Sequence, residues 1–215
     1  MRKNRLHKRK LEKRLRNKRL EKPLFLIVCE GEETEPNYFE GFKLSTREVT
    51  KITIDGIGMN TDSLIKETEK IKNNLEDKKD IEFDQVWCVF DRDSFSPNNF
   101  NKAIAMAKKR KFKVAYSNEA FEIWYLLHFQ LCVTGLSRKL LEKKLSSLIK
   151  SEFGHKYKKN DERMYEYLKT KQKQAIQNAT SLIKHYKETS CLNPEKNNPS
   201  TTVHELVIEL NNYIN

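Results

Sequence analysis

The sequence predicts an α/β protein in which a small parallel four-stranded sheet is followed by a helical C-terminal part. Two short apolar runs, 24–29 and 86–90, have the composition of strands that are buried on both faces. The segments between the predicted strands carry apolar residues at helical spacing. This alternation is typical of right-handed crossovers, which place a ligand site beyond the carboxyl ends of the strands.

The first half of the chain supplies the strands. After the first strand, Thr34 can cap a helix, Pro36 suits its first turn, and we expect the helix to end near Gly41. A weaker alternation at 51–55 predicts the second strand. The remaining elements expected in this half are a helix at 61–77, a strand at 86–90, a helix at 98–110 and a strand at 113–116.

The second half reads as helices, and it carries no convincing strand signal. A loop rich in Asn and Pro at 191–200 precedes the last helix, which Thr202 and Glu205 open as a capping box. The expected helices are 119–130, 137–152, 160–187 with a break, and 201–213. The predicted organisation is a basic tail at 1–22, an α/β core at 23–130 and a helical extension at 131–215 packed on that core.

The charge of the chain is concentrated at one end. The formal net charge is +12, and residues 1–22 hold twelve Lys or Arg against two Glu. Two interpretations of this tail stay open: contact with nucleic acid, which gains affinity by releasing counterions, or a solvated arm that aids solubility or touches a partner protein. The candidate phosphate-binding residues are Arg2, Lys3, Arg5, Lys8, Arg9, Lys10, Lys13, Arg14 and Arg16.

The chain has no pattern of a signal peptide or a membrane span. Six apolar residues at 24–29 are followed directly by acids, which is too short a run for either. We therefore expect a cytoplasmic protein with no membrane partner. The four cysteines lack paired metal-ligand spacing, and Cys29 and Cys88 lie in apolar runs, so we expect neither zinc nor disulfides.

Three carboxylates fall where the sheet prediction places a ligand site. Glu30 follows the first strand, and Asp91 and Asp93 follow the third. Mg²⁺ prefers oxygen ligands and is commonly held by one or two carboxylates with waters and phosphates, so these residues predict a Mg²⁺ site that Mn²⁺ can also occupy. Any one of these acids alone would more often cap a turn. Gly31 favours the metal site, because glycine lets the backbone approach a ligand. Whether one or two ions bind stays open.

Glu122 is the fourth candidate catalytic residue. Apolar residues surround it on all sides of the helix predicted at 119–130, so its carboxylate should be buried. A buried carboxylate needs a partner, which is either the metal site or a core Lys or Arg. Five further residues are weaker candidates, and for His128 a core position and for Asn118 a helix cap are the simpler interpretations. These five are Glu35, Asn118, Glu119, His128 and Lys159.

Four motifs resemble the RloB-like family. They are VCEGEETEPNYF at 28–39, VWCVFDRD at 86–93, SN with FEIWYLLHF at 117–129, and NPSTTV at 198–203. The Glu after one strand and the DxD after another are similar to the Toprim arrangement of topoisomerases, primases and OLD-type nucleases, in which these acids bind Mg²⁺ for phosphoryl transfer. The chain departs from the family pattern at Glu119 and Ala120, where the family tends to have a proline after the Ser-Asn pair.

The resemblance implies a Toprim-like Rossmannoid fold, a role in prokaryotic antiviral defence such as abortive infection, and an ATPase partner. The leading hypothesis is a Mg²⁺-dependent nuclease in which Glu30, Asp91 and Asp93 hold metal, Glu122 assists, and the tail holds the nucleic-acid backbone. The alternative is a non-catalytic subunit that binds metal or nucleic acid within a defence complex. The choice between DNA and RNA, transfer RNA included, and the oligomeric state stay open.

Overall fold

The computed structural model describes residues 23–45, 51–56, 61–92, 97–189 and 193–213. Strands and helices alternate through the first half, as the sequence predicts, and helices dominate the second. The elements in chain order are β1 (Leu24–Cys29), α1 (Thr34–Ser45), β2 (Lys51–Gly56), α2 (Thr61–Lys79), β3 (Gln85–Asp91), α3 (Pro97–Lys109), β4 (Lys113–Asn118), α4 (Glu122–Leu127), α5 (Arg138–Phe153), α6 (Met164–Leu168), α7 (Gln172–Glu188), β5 (Ser200–Thr201) and α8 (Val203–Asn211).

The sheet is mixed and mostly parallel, with the strand order β2-β1-β3-β4-β5. The four strands predicted from the sequence are parallel to one another. The fifth strand pairs antiparallel with β4, through Ser117 with Thr201 and Asn118 with Ser200. The expectation of a purely parallel four-stranded sheet with no strand after residue 119 is therefore wrong at this edge, because two residues are too few to show a strand periodicity.

Alternate residues of the strands face two different layers of helices, as the pleat of a sheet requires. Leu26 and Val28 of β1 pack with Cys88 and Phe90 of β3 against α2 and α3. The other face of the same strands packs against α1, α4 and the helices of the second half in one continuous apolar cluster. Residues from both halves of the chain therefore pack on the sheet and fix the position of its strands.

Gly41 lies inside α1 and does not end it. The helix continues to Ser45, so the predicted end near Gly41 is wrong. A Cβ at this position would overlap the ring of Tyr165, the second residue of α6, which packs directly on the helix backbone. Contact with a residue distant in sequence explains this glycine better than a helix terminus does.

Thr202 precedes α8 but makes no side-chain cap, so the predicted capping box is wrong. Its hydroxyl accepts a hydrogen bond from the backbone N–H of Tyr116 at 3.0 Å and donates one to the carbonyl of Val114 at 3.2 Å. The side chain thus continues the hydrogen bonding of the β4 edge beyond the short β5. Satisfying these buried backbone groups outweighs a helix cap.

Among the described residues, Cys29, Cys88 and Cys132 are buried free thiols, while Cys191 lies outside the described residues. The predicted break in the helix at 160–187 is confirmed as a 3₁₀ turn, Lys169–Lys171, between α6 and α7. A membrane-spanning helix is absent from the described part of the chain, since none there has the necessary length and apolar character.

Candidate acidic site at the carboxyl ends of the strands

Glu30 and Asp91 lie side by side at the carboxyl edge of the sheet. β1 and β3 are neighbouring parallel strands, with Cys29 beside Val89, so the residues that follow are brought together. The backbone N–H of Asp91 lies 3.3 Å from Oε2 of Glu30 and donates to it, and both side chains are buried. The sequence prediction that these two acids share one edge is confirmed.

The two carboxylate oxygens of Asp91 have different surroundings. Oδ2 accepts a hydrogen bond from the backbone N–H of Phe121 at 2.9 Å and forms an ion pair with Nη2 of Arg138 at 3.2 Å. Oδ1 is buried and has no hydrogen-bond partner among the residues that the structure describes. A buried carboxylate oxygen without a partner is costly, so this atom is the natural position for a ligand that accepts its lone pairs.

Glu122 is 1% exposed, which confirms the predicted burial. It is the first residue of α4, and that helix is buried all round but shorter than expected. Oε1 of Glu122 accepts a hydrogen bond from the hydroxyl of Tyr157 at 3.0 Å. No Lys or Arg within the described ranges forms an ion pair with it, so the alternative of a core ion pair finds no support there.

Glu35 joins the same cluster from the first turn of α1, where it is 5% exposed. A Cβ at Gly31 would overlap the Glu35 carboxylate, so glycine at that position allows the carboxylate to turn back over the loop. Burial raises the pKa of Glu35 to about 7, and the charges of Glu122 and Glu30 add to this effect. Glu35 was a minor candidate from the sequence, and the structure places it beside the three other acids.

Burial and mutual repulsion both disfavour the charged forms of the acids in this cluster. The pKa of Asp91 is raised well above its usual range, first by burial and then by the charges of Glu35 and Glu122. The Phe121 N–H and the Arg138 guanidinium oppose this rise but do not cancel it. A bound cation would relieve the same repulsion, so the electrostatics favour cation binding at this edge.

The residues present fit a Mg²⁺ ion that keeps part of its water shell. Glu30 and Asp91 offer two carboxylates, the number that commonly holds Mg²⁺ with waters and phosphates. Asp93, the third expected ligand, lies outside the described residues. Among the residues that the structure does describe, no group of three or more His, Cys, Asp or Glu is placed to share one ion.

The loop between α5 and α6 lies over the cluster. Tyr157 reaches Glu122 from this loop, and the carbonyl of Lys159 accepts a hydrogen bond from the hydroxyl of Thr34 at 3.3 Å. The Thr34 carbonyl in turn accepts one from the hydroxyl of Tyr125 at 3.2 Å. The Lys159 side chain is exposed to solvent, so this weaker candidate residue lies on the surface of the loop and not inside the acidic cluster.

Asn118 and Glu119 hold the C-terminal loop in place. The Asn118 side chain donates to the carbonyls of Pro194 and Glu195, each at 2.9 Å, and the predicted helix cap is therefore wrong. Glu119 accepts a hydrogen bond from the side chain of Asn198 at 3.2 Å. Both residues therefore bind the segment that leads into β5.

His128 is a core residue, in agreement with the simpler interpretation of the sequence. Its side chain is 2% exposed, and Nδ1 lies 2.9 Å from the carbonyl of Trp124. Burial lowers its pKa to about 4, so the ring is neutral near pH 7. The basic tail at 1–22 lies outside the described residues, and its predicted phosphate contacts stay predictions.

Sequence reasoning missed two residues of the site, Arg138 and Tyr157. They contact Asp91 and Glu122 across 47 and 35 positions of sequence, and neither belongs to a motif that indicates chemistry. One local signal was available for Arg138. A cation at the first position of a helix opposes the helix dipole, which indicates a role other than helix stability.

The fold and the site define an α/β protein with a buried acidic cluster at the carboxyl edge of a mostly parallel sheet. A family model described as RloB-like protein matches residues 25–210. The chain therefore belongs to the RloB-like protein family. No curated protein and no solved structure matches the chain.

Proposed function

We propose that this chain is a Mg²⁺-dependent nuclease with a Toprim-like site, which hydrolyses phosphodiester bonds of DNA or RNA in antiviral defence together with an ATPase partner. The observation that carries the proposal is the convergence of Glu30 and Asp91 at the ends of neighbouring strands, where Oδ1 of Asp91 is buried without a hydrogen-bond partner in the described part of the chain. The Toprim-like assignment is supported by a glutamate after β1 and an aspartate at the end of β3.

Mg²⁺, when bound, would activate a water and neutralise the charge that develops on the phosphate. Glu30 and Asp91, with Asp93, are the residues proposed to hold it. Glu35 is the candidate for proton transfer, because it is a buried carboxyl group beside Glu30 and Asp91, and in the metal-free chain burial raises its pKa to about 7. Glu122 adds a fourth buried carboxylate to the cluster, and the hydrogen bond from Tyr157 fixes its orientation.

The experiment is a cleavage assay with the purified full chain, alone and with the products of its neighbouring genes, among which the proposal expects an ATPase. Panels of single- and double-stranded DNA and of RNA, transfer RNA included, are incubated with Mg²⁺, with Mn²⁺ or with EDTA. We expect cleavage that EDTA abolishes and that Asp91→Asn lowers by about 100-fold or more, the loss seen when one group that stabilises the charge of a transition state is removed. Burial favours a neutral side chain at position 91, so this variant should keep its fold.

The matched control is Glu209→Gln, which removes a carboxylate near the opposite edge of the sheet. Glu209 pairs with Lys113 at the start of β4 and accepts a hydrogen bond from Gln85 at the start of β3. This variant should cut as the unchanged protein does. Cleavage that persists in Asp91→Asn would exclude the proposed site.

A non-catalytic subunit that binds metal or nucleic acid is the second candidate function. The ion pair between Arg138 and Asp91 favours it, because a cation already occupies one oxygen of the central carboxylate. Calorimetry with Mg²⁺, combined with the cleavage assay, separates the two functions. Metal binding without turnover in any complex would support the second candidate.

A further inference from the structure

Arg138 is the point where the helical half of the chain meets the acidic cluster. It is the first residue of α5, and its Nη2 lies 3.2 Å from Oδ2 of Asp91. Its positive charge lowers the pKa of both Asp91 and Glu35, against the larger effect of burial. The guanidinium therefore already neutralises part of the negative charge that a bound metal ion would neutralise.

The position of Arg138 is not explained by the stability of α5. The first turn of this helix carries two cations, Arg138 and Lys139, and no acid. A cation there opposes the helix dipole. Lys139 is exposed to solvent, whereas Arg138 forms an ion pair with Asp91. The two residues carry the same charge in the same helical turn, but Arg138 is the one whose described ion pair is with Asp91.

Arg138 also remains accessible from outside. Its side chain is 34% exposed, while that of Asp91 is 6% exposed. A guanidinium presents five N–H donors in a planar fork that matches the oxygens of a phosphate. One side chain can therefore contact Asp91 and a phosphate that arrives from solvent.

We propose that Arg138 is a phosphate-binding residue of this site, which opposes metal binding until a nucleic-acid phosphate is present. This inference rests on the proposed function. Without nucleic acid, the guanidinium and a divalent cation repel each other across the Asp91 carboxylate. A phosphate between them attracts both charges, so metal and nucleic acid bind cooperatively, and each raises the affinity of the other by the same factor.

The test is a titration of the full chain with Mn²⁺ at pH 8.5, read by calorimetry. It is made with and without a cleavage-resistant phosphorothioate oligonucleotide, and it compares the unchanged chain with Arg138→Gln. Without the oligonucleotide, Arg138→Gln should bind Mn²⁺ roughly tenfold more tightly, because a repelling charge is gone. With the oligonucleotide, that advantage should disappear, because the variant has lost its contact with the phosphate.

Two matched variants make the result specific. Lys139→Gln removes the same charge one residue away and should leave Mn²⁺ affinity unchanged in both titrations. Arg138→Lys keeps the charge but loses the planar fork, so it should oppose Mn²⁺ as arginine does and bind the oligonucleotide more weakly. If Arg138→Gln does not fold, as judged by circular dichroism, Arg138→Met takes its place, because methionine also removes the charge and keeps a long side chain.

The outcomes distinguish the two proposals. Equal Mn²⁺ affinity for the unchanged chain and Arg138→Gln without oligonucleotide would overturn the role of Arg138 and leave the metal site intact. Weaker Mn²⁺ binding by Arg138→Gln would also overturn it, because it would show that the residue supports the ligands and does not compete. If neither chain binds Mn²⁺, the proposed metal site is wrong, and the inference fails with it.

Discussion

The hydroxyl of Tyr157, in the loop between α5 and α6, donates a hydrogen bond to Oε1 of Glu122 at 3.0 Å. Glu122 is 1% exposed and lies close enough to Asp91 and Glu35 to raise the pKa of both. The hydrogen bond therefore holds a buried carboxylate in place beside two others. It also ties a loop of the helical half to the candidate site.

Tyr157→Phe should destabilise the protein by about 1–3 kcal/mol, because it leaves an oxygen of Glu122 buried without its donor. The measurement is the free energy of unfolding in urea. Tyr167→Phe is the matched control: Tyr167 lies in α6 and stacks on Phe153 of α5, and the structure gives its hydroxyl no hydrogen bond with a described residue. A stability of Tyr157→Phe equal to that of the control would contradict the prediction.

Glu35 should make the protein less stable as the pH rises from about 4.5 to about 7. Its pKa is 4.5 in its ordinary state and is raised to about 7 in the folded chain, first by burial and then by Glu122 and Glu30. In this window the folded chain keeps a proton that the unfolded chain has released, so the free energy of unfolding falls with increasing pH. Asp91 contributes with the same sign, because its pKa is also raised.

Glu35→Gln removes the titrating group and should therefore be the more stable chain at pH 8, by up to about 3 kcal/mol. Urea unfolding at pH 4, 6 and 8 in EDTA, which excludes metal, measures the effect. The control is Glu33→Gln, since Glu33 is an exposed acid in the loop just before α1. A stability difference from the unchanged chain that stays the same from pH 4 to pH 8 would refute the assignment.

Gly41→Ala should lower stability by about 1–3 kcal/mol, since the new methyl group would overlap the ring of Tyr165. The ring has little room to move, because it packs on Phe42 with ring centroids 4.6 Å apart. This loss is expected even though alanine has the higher helix propensity, by about 1 kcal/mol. Thermal unfolding measures it, and Tyr165→Leu in the same chain should recover part of it. An increase in melting temperature for Gly41→Ala alone would show that propensity dominates.

The sequence predicted those parts of the fold that depend on local patterns. Continuous apolar runs located the buried strands at 24–29 and 86–90, and the edge rule for parallel sheets placed Glu30 and Asp91 together. The apolar residues around Glu122 predicted its burial correctly. In each case the pattern spans a few neighbouring residues, and one arrangement of that segment buries its apolar side chains.

The errors occurred where a residue serves a distant contact. Gly41 was read as a helix end and Thr202 as a helix cap, but the first accommodates Tyr165 and the second completes the edge of β4. Asn118 binds the C-terminal loop and does not cap α4. Each of these residues has a common local use that competes with its tertiary one. For Thr202 and Asn118, the need to pair buried backbone groups made the tertiary use the stronger.

The sequence by itself determined that Glu30 and Asp91 would each follow a buried strand, because hydrophobic patterning locates strands and their ends. The structure then showed that these two strands are neighbours in the sheet. Tertiary structure alone decided what surrounds that pair. Arg138 reaches Asp91 and Tyr157 reaches Glu122 only because the helical half packs on the same core as the sheet. Contacts across that many positions have no periodicity, and burial in a shared core is what fixes them.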